Sequence, residues 1–152
     1  MGMTQAEKAA ALRESLPHFS WTEGYHRMTI GPVVATDGVK YLCETAGAFW
    51  LMDIIGSYQP KIRRMAFVHR NHPEKLAKWA PLRDMQLWQL AIDYAGSDHR
   101  GAIVTCRADS GAEPAIIQRI EYTDFPLEEG VKILVAPGGP QGCLVAMLPS
   151  EN

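Results

Sequence analysis

The chain has 152 residues, of which 47% are hydrophobic and 21% are charged, and its formal net charge is −2. This length and apolar content predict a single globular domain over residues 1–152, with a core large enough to need no disulfide or metal support. No run approaches the roughly 18 apolar residues of a membrane span, and the N terminus lacks the apolar region of a secretory signal, so we expect a cytoplasmic protein without a membrane partner.

Two capped helices are predicted in the first part of the chain. Thr4 and Glu7 have the spacing of a capping box, which indicates the start of an amphipathic helix. Thr36 or Asp37 can cap a second helix, because apolar residues then recur at helical spacing. Gly47 is the predicted end of this second helix, since glycine adopts the left-handed C-terminal conformation at the lowest cost.

A third helix is predicted over residues 48–57, ending before Pro60. Large apolar side chains fill more than half of its circumference, so we expect it to be the central helix of the fold. The narrow arc that remains holds Asp53 together with Phe49, Gly56 and Ser57. Because a buried, unpaired carboxylate is costly, we expect Asp53 to face solvent or a basic side chain, and the alternative is a site acid.

Residues 61–83 differ from the rest of the chain in charge. They contain seven Lys or Arg and one acid, Glu74, so the remainder of the chain is net acidic. A short helix is predicted from Pro73, since proline suits the first helical position. The residues that we predict to bind an anionic partner are Arg63, Arg64, Arg70, Lys75 and Lys78. With Phe67 and Trp79 interleaved, this segment could also stack a nucleic acid base.

The hydrophobic period changes from helix to strand after residue 84. The residues that alternate onto one face of the first predicted strand are Trp88, Leu90, Ile92 and Tyr94. Turn-forming segments separate four further apolar runs, and such short connections favour antiparallel pairing. We therefore predict an α+β fold: a helical half, about residues 1–83, packs on one face of a C-terminal antiparallel sheet of about five strands, about residues 84–152.

No catalytic or metal-binding signature is complete. The groups that a hydrolase-type enzyme could use are His26, Asp37, Asp53 and His99, and none of them has diagnostic spacing. The H-x-x-H pair of His69 and His72 lacks a third ligand, so no metal site is predicted, and no cofactor motif occurs. The cysteines are odd in number and widely spaced, which indicates free, buried thiols at Cys43, Cys106 and Cys143.

Several segments carry a resemblance to a known family. The chain contains a core segment, TDGVKYLCETAGAFWLMDII, with FSWTEGYHR before it and DFPLEE and LPSEN after it. These segments resemble motifs that recur in the same order in a family of small uncharacterised proteins from bacteria and their phages and plasmids. Trp21 stands where that family has glycine, and His26 and Arg27 invert its usual order. The resemblance implies a mobile-element setting and a domain without an assigned function.

The sequence favours a binding protein over an enzyme. Our leading hypothesis is a small accessory protein of mobile-element type that binds a macromolecular partner, with a protein as the expected partner. This hypothesis rests on the absence of a complete set of catalytic residues in the sequence, on the family resemblance and on the charge of residues 61–83. A hydrolase is the alternative from another class, and nucleic-acid binding through residues 61–83 is the third hypothesis.

Overall fold

The chain folds into helices on one face of a six-stranded sheet in a computed structural model, which describes residues 2–29, 31–93 and 100–152. The helices are α1 (Gln5–Ser15), α2 (Asp37–Ala46), α3 (Phe49–Ser57), α4 (Gln59–Val68) and α5 (Pro73–Trp79). The strands are β1 (Val33–Ala35), β2 (Gln86–Asp93), β3 (Gly101–Arg107), β4 (Ile116–Ile120), β5 (Val131–Pro137) and β6 (Leu144–Met147). Within these described ranges, no helix is both long enough and apolar enough to cross a bilayer.

The predicted α+β class with a mainly antiparallel C-terminal sheet is confirmed. The strand order is β1-β6-β5-β2-β3-β4, and only the pair of β1 and β6 is parallel. The sequence predicted about five strands because it missed β1, which lies in the helical half of the chain. Three residues after the Gly31–Pro32 break are too few to show a strand period, so this strand depends on its distant partner.

The predicted helix caps are confirmed. The Thr4 hydroxyl accepts from the Glu7 amide at 3.1 Å, and the Glu7 carboxylate accepts from the Thr4 amide at 3.2 Å. At the start of α2 the Thr36 hydroxyl accepts from the Val39 amide at 3.4 Å. Gly47 ends α2 with φ at +66°, the left-handed conformation that favours glycine. Local hydrogen bonds therefore set the ends of both helices.

The main core lies between the helices and the facing side of the sheet. The helices contribute Leu12, Val39, Leu42, Met52, Ile55 and Ile62. The sheet contributes Trp88, Leu90, Val104, Ile133 and Val135. The predicted inner face of β2 is confirmed for Trp88 and Leu90, which are buried, and for Ile92, which packs against the core. Tyr94 lies outside the described residues.

Helix α4 was not predicted. Pro60 suggested an end to helical structure, whereas the structure has it in the first turn of α4, where its missing N–H costs no hydrogen bond. Ile62 and Ala66, four residues apart, turn one side of α4 to the core. The predicted helix at Pro73 is confirmed as α5. Most of the basic segment is thus helical.

All three cysteines are free and buried, as predicted. Burial raises the pKa of the Cys43 thiol to about 12, and the nearby carboxylates of Glu44 and Asp53 add to the effect. Burial likewise raises the pKa of the Cys106 thiol to about 12. A thiol with such a pKa holds its proton at neutral pH, so these two side chains act as small apolar groups.

Candidate functional site: a basic face beside an apolar pocket

Helices α4 and α5, the connection between them and the 3₁₀ turn Ala80–Arg83 carry an exposed surface that we call the basic face. Its members are Lys61, Arg63, Arg64, Arg70, Lys75, Lys78 and Arg83, and each of them is solvent-exposed. This set includes all five residues that the sequence predicted to bind an anionic partner. On α4 and α5, the cations occupy helix positions between the buried residues, so their side chains lie on the solvent side. The surface therefore follows from the amphipathic pattern of these helices.

Aromatic rings support several of these cations. The Lys61 ammonium lies 5.9 Å from the ring centroid of Trp79, and the Lys78 ammonium lies 5.8 Å from the same centroid. The Arg70 guanidinium lies 4.2 Å from the ring centroid of Phe67 and donates to the Phe67 carbonyl at 2.9 Å. Each contact of this kind is worth about 0.5–1 kcal/mol at an exposed site. Trp79 therefore joins cations of α4 and α5 into one surface.

No acid in the described part of the chain forms an ion pair with a member of the basic face. The ion pairs found there join Arg13 to Glu129, His26 to Asp37 and Arg119 to Asp93. None of these pairs involves a member of the basic face, whose charges are consequently available to an external anion.

One expectation about stacking is wrong. Trp79 is only 5% exposed, so its ring packs in the core and cannot stack on a base. Phe67 is 66% exposed, and Val68 beside it is 54% exposed. The accessible apolar part of this surface is thus the C-terminal end of α4.

A pocket of about 270 Å³ opens beside the basic face. Its lining residues are Pro32, Gln59, Ile62, Arg63, Leu82, Arg83, Gln86, Gly142 and Leu144. Two of the lining side chains, Arg63 and Arg83, are members of the basic face. The pocket therefore combines apolar walls with two cations.

The structure brings together two of the four groups that the sequence offered for a hydrolase. His26 Nε2 lies 2.7 Å from Asp37 Oδ1, and Asp37 Oδ2 accepts from the Glu23 amide at 2.8 Å. The hydrogen bond from His26, followed by that from the Glu23 amide, lowers the pKa of the Asp37 carboxyl. Asp53 is exposed, and its carboxylate has no hydrogen bond or ion pair to another described residue. His99 lies outside the described residues.

The His26–Asp37 pair fastens a loop to the sheet and to α2. The His26 amide donates to the Ala35 carbonyl at 2.8 Å, and the Ala35 amide donates back to the His26 carbonyl at 2.7 Å. The Thr22 hydroxyl donates to the Gly24 carbonyl at 2.7 Å and accepts from the Asp37 amide at 2.9 Å. In the described part of the chain, no hydroxyl or thiol is hydrogen-bonded to the His26 ring, so the pair has no nucleophile to activate.

Sequence reasoning missed the contact between Glu151 and the start of α2. The Glu151 carboxylate accepts from the Thr36 hydroxyl at 2.6 Å, the Leu148 amide at 2.9 Å and the Gly38 amide at 3.1 Å. Negative charge is favourable at a helix N terminus. A Cβ at position 38 would lie 2.6 Å from a Glu151 carboxylate oxygen, so only glycine allows this approach. The Glu151 carboxylate therefore has a structural role: it stabilises the start of α2.

The two histidines of the H-x-x-H motif have their ring centroids 6.1 Å apart. Over the ranges that the structure describes, no three His, Cys, Asp or Glu side chains form a group that could hold a metal ion.

The fold and the site together define an α+β protein with an exposed cationic surface. The chain belongs to DUF6876, a family of unknown function, whose family model matches residues 10–152. No curated protein and no solved structure matches the chain.

Proposed function

We propose that this chain is a small accessory protein, of the mobile-element type that its motifs imply, which binds an acidic protein through the basic face. One observation carries the proposal: seven cations are exposed on α4, α5 and the turns that adjoin them, and no acid of the described residues pairs with any of them. Unpaired surface cations attract an oppositely charged partner and accelerate its association.

The residue types of the basic face favour a protein as the partner. Arginine and aromatic side chains are enriched in the centres of protein interfaces, and they supply most binding hot spots. Arg64 and Arg70 lie near the exposed Phe67 and Val68 in sequence, so charge and apolar surface occur together at the end of α4. A partner with an apolar side chain beside its acids complements this arrangement.

Nucleic acid is the less favoured partner. Single-stranded nucleic acid needs aromatic rings on which successive bases stack, and Phe67 is the accessible ring of this segment because Trp79 is buried. The whole chain has a formal net charge of −2, so the surface outside the basic face repels a polyphosphate.

Site-specific photo-crosslinking in the host cells tests the proposal. A photoreactive amino acid replaces Val68 at the end of α4, and the matched control replaces Ile117, which is 62% exposed on β4. We expect an adduct of discrete mass from position 68 that protease destroys and nuclease leaves intact, with none from position 117. Charge reversal by Arg64→Glu and Arg70→Glu should abolish the adduct, because it replaces attraction by repulsion.

Three results would contradict the proposal. A nuclease-sensitive adduct would assign a nucleic acid as the partner. Equal labelling from positions 68 and 117 would mean unspecific contact. An adduct that still forms after both charge reversals would show that binding does not depend on the basic face. Both arginines are exposed, so the variant should keep the wild-type circular dichroism spectrum, which is the control for folding.

A further inference from the structure

We infer that the pocket beside the basic face is a binding site for a small amphipathic carboxylate. This site needs no macromolecular partner and therefore goes beyond the function proposed above. Its apolar walls are formed by Pro32, Ile62, Leu82 and Leu144, contributed by the segment before β1, by α4, by the 3₁₀ turn Ala80–Arg83 and by β6. Such walls match a hydrocarbon body.

The two glutamines of the pocket cannot supply donors to a ligand. The Gln59 amide donates to Gln86 Oε1 at 2.9 Å and to the Ile55 carbonyl at 3.0 Å. The Gln86 amide donates to Gln59 Oε1 at 2.9 Å and to the Leu82 carbonyl at 3.1 Å. Each amide nitrogen has two hydrogens, so all four are already used within the protein.

The remaining side-chain donors of the pocket are the guanidinium groups of Arg63 and Arg83. Neither has an ion pair with an acid of the described residues. A guanidinium presents a planar set of N–H donors that matches a carboxylate, and charge-assisted hydrogen bonds of this kind are strong. The ligand's anionic group should thus lie at the arginines, with its apolar part against the opposite walls.

The size of the pocket limits the ligand. At about 270 Å³ the pocket is just below the range of about 300–1,000 Å³ that is typical for drug-sized ligands. A short chain such as hexanoate is an appropriate probe. Each methylene that becomes buried strengthens binding about fourfold, so hexanoate should bind more tightly than inorganic phosphate, which offers charge alone.

NMR titration of the full chain tests this site. We expect hexanoate to shift the methyl signals of Ile62, Leu82 and Leu144 in a saturable way. Hexanamide has the same shape without the charge and should bind at least about tenfold more weakly, because charged hydrogen bonds are stronger than neutral ones. N-acetyl-leucine, with its free carboxylate, resembles the C-terminal residue of a peptide. If it binds more tightly than hexanoate, the natural ligand is a chain terminus; if it binds more weakly, the ligand is a free acid.

Substitutions of single arginines distinguish binding in the pocket from general electrostatic attraction to the basic face. Arg63→Gln and Arg83→Gln should each weaken hexanoate binding about tenfold, since each removes one charged donor. The matched control is Arg64→Gln, which lies on α4 and removes the same charge but does not line the pocket. It should leave the affinity within about twofold, as expected for a screened charge outside the site.

Three outcomes would overturn the inference: the absence of a saturable shift, equal affinities for hexanoate and hexanamide, or equal losses in Arg64→Gln and Arg83→Gln. The test of partner capture uses Arg64 and Arg70, whereas the test of carboxylate binding uses Arg63 and Arg83. Failure of one proposal therefore leaves the other standing.

Discussion

Replacement of Gln86 by leucine tests what the buried amide network contributes to stability. Gln86 and Gln59 are each 2% exposed and exchange two hydrogen bonds of 2.9 Å. Gln86 Oε1 also accepts from the indole nitrogen of Trp88 at 2.8 Å. Leucine is apolar and can neither donate nor accept, so this change removes every hydrogen bond of the Gln86 side chain.

The magnitude follows from the groups that lose a partner. They are the Trp88 indole N–H, Gln59 Oε1, one hydrogen of the Gln59 amide and the Leu82 carbonyl. A buried polar group without a partner costs about 1–3 kcal/mol. The low end of this range, taken over four groups, lowers the free energy of unfolding by about 4 kcal/mol. That is a large part of the roughly 5–15 kcal/mol that stabilises a typical small protein.

Urea denaturation of wild type, Gln86→Leu and a matched control measures the effect. The control is Gln89→Leu, the same substitution on β2 at a half-buried position, which should change stability by about 1 kcal/mol at most. The double variant Gln59→Leu, Gln86→Leu should lose less than the sum of its single variants, because it removes both ends of the pair. A loss below about 1 kcal/mol in Gln86→Leu would refute the reasoning, since the network would then be neutral.

Three further predictions concern single positions. Because the folded-state pKa of Asp37 is lowered from 3.8, its stabilising contribution is complete above that value and is lost as pH falls through the folded-state pKa. The stability gap between wild type and Asp37→Asn, followed by thermal melts, should therefore close in acid, and a constant gap would contradict this. Gly130→Ala would bring a Cβ to 1.9 Å from the Leu90 carbonyl oxygen at a φ of +72°, so denaturation should show a loss of about 3 kcal/mol or more. Glu151→Gln should cost about 1 kcal/mol in the same assay because it removes charge from the α2 N terminus, whereas the exposed Glu113→Gln should cost almost nothing.

The features that were predicted from sequence are local in sequence. A capping box spans four residues, and glycine at the end of α2 acts through its own backbone angle. The same holds for the spacing of Trp88 and Leu90, which are buried on the inner face of β2. Pro60 shows the limit of such signals. Proline breaks a helix that would run through it but suits the first turn of a new one, and the sequence alone did not separate the two cases.

The features that were missed depend on distant parts of the chain. Glu151 meets Thr36 across 115 positions, and β1 exists as a strand because it pairs with β6. The sequence shows the charge of residues 61–83, but it does not show whether these cations are free to bind a partner. Whether a cation is paired depends on which acids the fold brings near it, and whether Trp79 can stack depends on its burial. Neither property has a local signal.

The parallel pairing of β1 with β6 has a consequence for the order of assembly during synthesis. Val33 is the register partner of Leu144, so β1 leaves the ribosome long before its partner strand has been translated. Until then, the bridge between His26 and Ala35 and the packing of α2 are the contacts that can hold β1. Closure of this edge is a late event with a high contact order, which slows folding relative to the local β5–β6 hairpin.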